Sequence, residues 1–153
     1  MKMMRSYAVK ERECFIGHNQ DNRDVHCMFD AACNKEDPFA LDAGFSETLL
    51  TIIDRTGKKD SEIYNKANVS RQHFSKIRNN PEYKPTKPTA IALAIALELD
   101  MDETLDLIGR AGYTLTRSRK FDVIIMHFIQ KRNYNLFEIN EMLYEYDQSL
   151  LGA

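Results

Sequence analysis

The chain has 153 residues, 43% hydrophobic and 29% charged, with six glycines, four prolines and a formal net charge of -2. That length suits one main core, and that composition excludes collagen-like, low-complexity and disordered classes. The longest apolar run, AIALAIALEL, meets acid after eight residues, and the start MKMMRSYAVKERE lacks the apolar stretch of a secretion signal, so a cytoplasmic protein without a membrane span is expected.

Residues 1–44 read as an accessory segment and linker. AVKERECFI and VHCMFDAAC each suit a short helix or strand without sustained period, and DPFALDAG reads as the linker. Cys14, Cys27 and Cys33 are odd in number and crowd the first quarter of the chain, which is not a disulfide framework. Cys14-x3-His18, His26-Cys27 and Cys33 offer the sulfur and nitrogen that tetrahedral zinc takes. Their spacing matches no standard finger, so reduced, idle thiols are expected and no metal or cofactor is assigned. A metal-sensing regulator would need that cluster to bind zinc.

From Phe45 onward helix follows helix. Phe45, Leu49, Ile52 and Ile53 recur at the 3.6-residue period, and Gly57 can close this first helix in a left-handed conformation. Asp60 or Ser61 is the expected cap of a short second helix through Ala67, with Ile63 and Ala67 inward. Asn68 suits a positive φ, and Ser70 is expected to cap a third helix whose Phe74 and Ile77 point inward. After PEYKPTKP, Thr86 caps a helix with Pro88 in its first turn. That helix contains AIALAIALEL, apolar nearly all round and therefore the most buried. Asp100 and Glu103 form a capping-box pattern ahead of Leu105, Ile108 and Ala111, and Gly112 supplies the stop. Residues 118–153 read as a helical extension. One stripe is Phe121, Ile124, Ile125, Phe128 and Ile129; the other, after an N-x-x-E box at Asn135 and Glu138, is Leu136, Ile139, Met142, Leu143 and Tyr146. The pair suits a hairpin, either buried against the domain or offering a partner or dimer surface. His127 is placed at the polar margin of its helix.

Charge is uneven along this plan. Residues 55–120 carry thirteen bases against eight acids, while residues 121–153 carry two against five. A local basic patch on a mildly acidic chain can still meet phosphate, because screening confines charge interactions to about 10 Å at ordinary salt. A helix opened by Ser70 would expose Arg71, Gln72, His73 and Lys76. Arginine or lysine can donate to guanine O6 and N7, and glutamine can pair with adenine N6 and N7. Ser70 and Asn79 at the two helix ends, with Lys84 and Lys87 in the loop, are the candidate phosphate contacts. Each of these could instead be ordinary solvated surface. No Walker loop, G-x-S-x-G, H-E-x-x-H or dinucleotide fingerprint occurs, so no enzyme is expected.

The segment DSEIYNKANVSRQHFSKIRNNPEYKPTKPTAIALAIALELDMDETLDLIG resembles the Cro/repressor-type (XRE) helix-turn-helix domain in helix order, turn length and the inward Ile63, Phe74 and Ile77. The resemblance covers about residues 45–112. It implies an all-α, five-helix lambda-repressor-like domain over 45–117, binding double-stranded DNA in a sequence-specific way and acting as a dimeric transcriptional regulator. The region from Phe45 also resembles a helical module of Firmicute proteins that is sometimes fused to other domains. Three positions depart from the repressor pattern: Asp60 stands where a phosphate-binding glutamine is usual, Tyr64 replaces a small alanine, and Asn68 replaces the turn glycine. Asp60 and the acidic C-terminal helices motivate the alternative, a protein-interaction module on the same scaffold, such as a toxin-neutralising or phage-defence accessory protein.

Overall fold

Seven helices make up the regular structure of residues 40–152, the part of the chain that the computed structural model describes, and no strand occurs among them. They are α1 (Phe45–Thr56), α2 (Asp60–Lys66), α3 (Arg71–Asn79), α4 (Lys87–Ala96), α5 (Met101–Arg110), α6 (Lys120–Gln130) and α7 (Leu136–Glu145). The described residues are therefore all-helical. The cysteine and histidine cluster at positions 14–33 lies outside them.

The core forms around α4, where every residue from Thr89 to Leu97 is buried. Alanines alternating with Ile91, Leu93 and Ile95 let neighbouring helices approach from all sides. α1 contributes Phe45, Leu49, Ile52 and Ile53; α2 and α3 contribute Ile63, Phe74 and Ile77; α5 contributes Leu107 and Ile108. One continuous core runs on past position 118, because Ile125, Phe128 and Ile129 of α6 and Ile139 and Leu143 of α7 join the same cluster. α7 packs on α4 and α6 on α5, so the hairpin lies against the other helices rather than apart from them.

Helix ends follow local chemistry in most places. Asp100 and Glu103 make the expected reciprocal box, with Glu103 N donating to Asp100 Oδ1 over 2.9 Å. Gly57 and Gly112 sit at φ 65° and 82°. Asn68, Glu98, Arg132 and Asp147 adopt φ of 52–58° after α2, α4, α6 and α7. In each case the following amide bonds back to a carbonyl five residues earlier, as in Val69 N to Tyr64 O and Asn133 N to Phe128 O. This is the Schellman closure with residues other than glycine at its left-handed position.

Three caps differ from expectation. Lys59, not Asp60 or Ser61, is the N-cap of α2 and supplies no side-chain bond. Asp60 is the first helical residue, and its carboxylate is ion-paired with Arg78 in the last turn of α3. Thr86 holds the N-cap position of α4, but its hydroxyl bonds that of Thr89 over 2.9 Å instead of a backbone amide. At α7, Asn135 Oδ1 accepts from Phe137 N, while the Glu138 carboxylate takes the side-chain amides of Asn133 and Asn135 in place of the N-cap backbone.

One buried ion pair ties the start of α4 to the start of α6. Asp122 is fully buried, accepts from Lys87 Nζ at 2.5 Å, and also takes Thr116 N at 2.9 Å and Thr116 Oγ1 at 3.3 Å. No helix among the described residues is long and apolar enough to cross a membrane.

Candidate functional site

α2 and α3 are short helices joined by the residues Ala67–Ser70, and the joint is closely specified. Asn68 N donates to Asn65 O and Val69 N to Tyr64 O, closing α2 on a left-handed Asn68. Val69 turns inward and is buried, and Ser70 then accepts from His73 N at 3.2 Å to open α3. Asparagine is the best substitute for glycine at such a φ, and serine is among the preferred N-caps.

At 100° per residue, Phe74 and Ile77 project inward from α3. Arg71, Gln72, Ser75, Lys76 and Asn79 then occupy one contiguous outward arc, and all five are exposed. His73 and Arg78 border that arc on opposite sides, and each is held by a neighbour. His73 Nε2 lies 3.1 Å from the Tyr83 hydroxyl, with the two rings edge to face at 5.8 Å. Arg78 bonds Asp60 of α2. The interhelix packing accommodates Tyr64 by setting its ring against Phe74, 5.8 Å between centroids, while Ala67 is fully buried.

The electrostatics follow from which charges are already engaged. No acid occurs between Glu62 and Glu82 in sequence. Asp60 borders the site, yet Arg78 compensates its charge. Arg71, Lys76 and Lys84 are exposed and make no ion pair among the described residues. A shallow hollow of about 550 Å³ beside α3 is lined by Lys58, Lys59, Arg71 and Arg78 against Asp54 and Asp60, so the basic surface continues onto the α1–α2 loop.

The sequence-predicted residues are only partly brought together. Arg71, Gln72, Lys76 and Asn79 share the exposed arc, Ser70 stands at its N-terminal edge, and Lys84 is exposed in the loop beyond α3. Asn79 is not wholly free, since its Nδ2 donates to Ser75 Oγ over 3.1 Å. Lys87 differs from expectation: only 18% of its side chain is exposed, because the buried Asp122 carboxylate draws the ammonium inward. Its charge is committed to holding α4 against α6. Sequence reasoning missed Ser75, although the four-residue step from Arg71 places it on that arc, and it missed Lys58 and Lys59, whose place beside Arg71 only tertiary packing decides. His127 is exposed, edge-on to Phe128. Comparison with protein-family models, with curated proteins and with solved structures gives no match for this chain.

Proposed function

We propose that the chain binds double-stranded DNA with sequence selectivity, inserting α3 into the major groove as the recognition helix of a lambda-repressor-like domain, and that it regulates transcription as a dimer. The observation that carries this reading is the contiguous arc of Arg71, Gln72, Ser75, Lys76 and Asn79 on a capped helix whose opposite face is anchored in the core. A nine-residue helix is about 13 Å long, a size that a groove about 12 Å wide can take end-on or obliquely. α2 and the Asp60–Arg78 pair brace it from one side, and Tyr83 does so from the other.

Roles divide by chemistry. Arg71 and Lys76 are donors for guanine, and Gln72 is a two-way partner for adenine. Ser75 and Asn79 offer polar groups further along the helix. Ser70, Lys84 and, from the α1–α2 loop, Lys58 and Lys59 meet phosphates, which position the helix without reading sequence. His73, with one ring nitrogen given to Tyr83, keeps the other for a base or phosphate. Two copies would place their α3 helices about one DNA turn apart on a pseudo-palindrome.

The test is selection from a random duplex library, followed by affinity measurements across a salt series. Wild type should enrich a motif, and the Arg71→Ala/Lys76→Ala variant should lose that preference. Equal, salt-sensitive binding of both proteins to every duplex would overturn specific readout, and no binding by wild type would overturn the DNA reading altogether. A protein partner is the second reading, favoured by Phe137 and Tyr144, 71% and 75% exposed on one side of α7. A pull-down whose partner survives nuclease treatment supports that reading, and a partner lost with the nucleic acid goes against it.

A further inference from the structure

The segment after α7 lies with its backbone on the turn between α2 and α3, and we propose that it is a strut that sets the orientation of α3. The positioning residues are Asn140, Leu151 and Gly152. For recognition, the inference rests on the reading of α3 as the DNA-contacting helix; for the geometry of the turn it stands alone.

Leu151 is 1% exposed, and its peptide is gripped at both ends by one side chain. Leu151 N donates to Asn140 Oδ1 over 2.8 Å, and Asn140 Nδ2 donates to Leu151 O over 3.2 Å. The primary amide supplies donor and acceptor side by side; an ionised aspartate in place of Asn140 is acceptor-only and loses one bond, and leucine loses both. The grip aims the next residue at a particular place. Gly152 has φ 73°, and a Cβ there would stand 2.2 Å from Ala67 O, 2.9 Å from Asn68 Cβ and 3.1 Å from Asn68 O. Both the dihedral and the space therefore call for glycine, and the space is taken up by the turn itself.

The turn benefits from an external support. Its left-handed residue is Asn68, φ 54°, which adopts that conformation less readily than glycine would. Two residues later Ser70 begins α3, so a small rotation at Asn68 or Val69 swings the whole arc from Arg71 to Asn79. α2 has only seven residues and cannot resist such a rotation alone. Gly152 against Ala67 and Asn68 blocks it from the outside, while Leu151 anchors the blocking peptide in the core.

The experiment compares the full chain carrying Gly152→Ala with wild type, with Asn140→Asp as a second variant that keeps side-chain size. Gly57→Ala is the control, because Gly57 has a similar φ of 65° but open space around its Cβ position. Amide hydrogen exchange is the first readout and needs no DNA. Gly152→Ala and Asn140→Asp should speed exchange over residues 64–73 by about tenfold or more, with α4 and α5 unchanged. Gly57→Ala should leave 64–73 unaltered. Affinity for the duplex selected by wild type is the second readout. It should fall about tenfold in the strut variants, with the same salt slope, since no phosphate contact is removed. Unchanged exchange over 64–73, or a uniform rise through all helices, would overturn the strut. Faster exchange there with undiminished duplex affinity would overturn its part in recognition. If wild type binds no duplex, the DNA reading fails while the exchange data still decide the strut.

Discussion

Replacing Asp122 with alanine removes the carboxylate that joins α4 to α6, and the size of the loss follows from what it leaves behind. Asp122 is fully buried and accepts three hydrogen bonds, from Lys87 Nζ and from the amide and hydroxyl of Thr116. Breaking a buried ion pair from one side costs about 3–5 kcal/mol, because the remaining charge stays in a poorly solvated place. The Lys87 side chain is 18% exposed and can swing partly toward water, which sets the value near the lower end. The orphaned Thr116 amide adds about 1 kcal/mol. A total of about 3–4 kcal/mol corresponds to a drop in Tm of roughly 10–15 °C for a unit of this size. Thermal and urea unfolding followed by circular dichroism measure it. The double change Lys87→Met/Asp122→Leu should recover most of the loss, because removing both charges also removes the desolvation penalty. A single-variant loss under about 1 kcal/mol, the range of a solvated surface pair, would refute the account of Asp122 as a buried tie.

The same pair separates two lysines that look alike in sequence. In a salt series with the selected duplex, Lys84→Ala should lower the slope of log affinity against log salt by about one, whereas Lys87→Met/Asp122→Leu should leave it unchanged. Arg132→Gly should stabilise the chain by about 0.5–1 kcal/mol in urea unfolding, because Arg132 is exposed at φ 52° where glycine carries no Cβ penalty. The hydrogen bond from Lys66, helped by its charge, holds the Glu98 carboxyl below its ordinary range. Its contribution to stability is therefore present above the ordinary carboxylate pKa and is lost as pH falls through the lowered one. Lys66→Met should move the Glu98 titration upward when followed by carboxyl NMR, and an unmoved titration would refute the pairing. Tyr83→Phe should leave α3 folded but free the His73 ring, which a changed nitrogen chemical shift at Nε2 would report.

Features that depend on three or four neighbouring residues were legible in the sequence. The Ser70 cap, the Asp100–Glu103 box and the positive φ of Asn68 each arise from chemistry within one helical turn, the burial of AIALAIAL from an apolar run of eight residues, and each occurs where its residues stand. The left-handed closures at Glu98, Arg132 and Asp147 were not legible, since no glycine marks them and the hydrogen bonds that close the helices are made by the backbone. The outward arc of α3 could be read as far as Arg71, Gln72, Lys76 and Asn79, and Ser75 could have been added by the same helical step.

What the local sequence determined is the set of helices, the caps at Ser70 and Asp100 and the polar face of α3, because backbone hydrogen bonds and apolar periodicity act over a few residues. Tertiary structure alone decided which charges remain available. Asp60 meets Arg78 eighteen residues away and Lys87 meets Asp122 thirty-five residues away, and nothing local in either residue names its partner. The same holds for Gly152, whose need to be glycine comes from the Ala67 and Asn68 backbone across the fold. A charge is spent or free, and a glycine required or optional, according to what the chain brings to within a few ångströms of it.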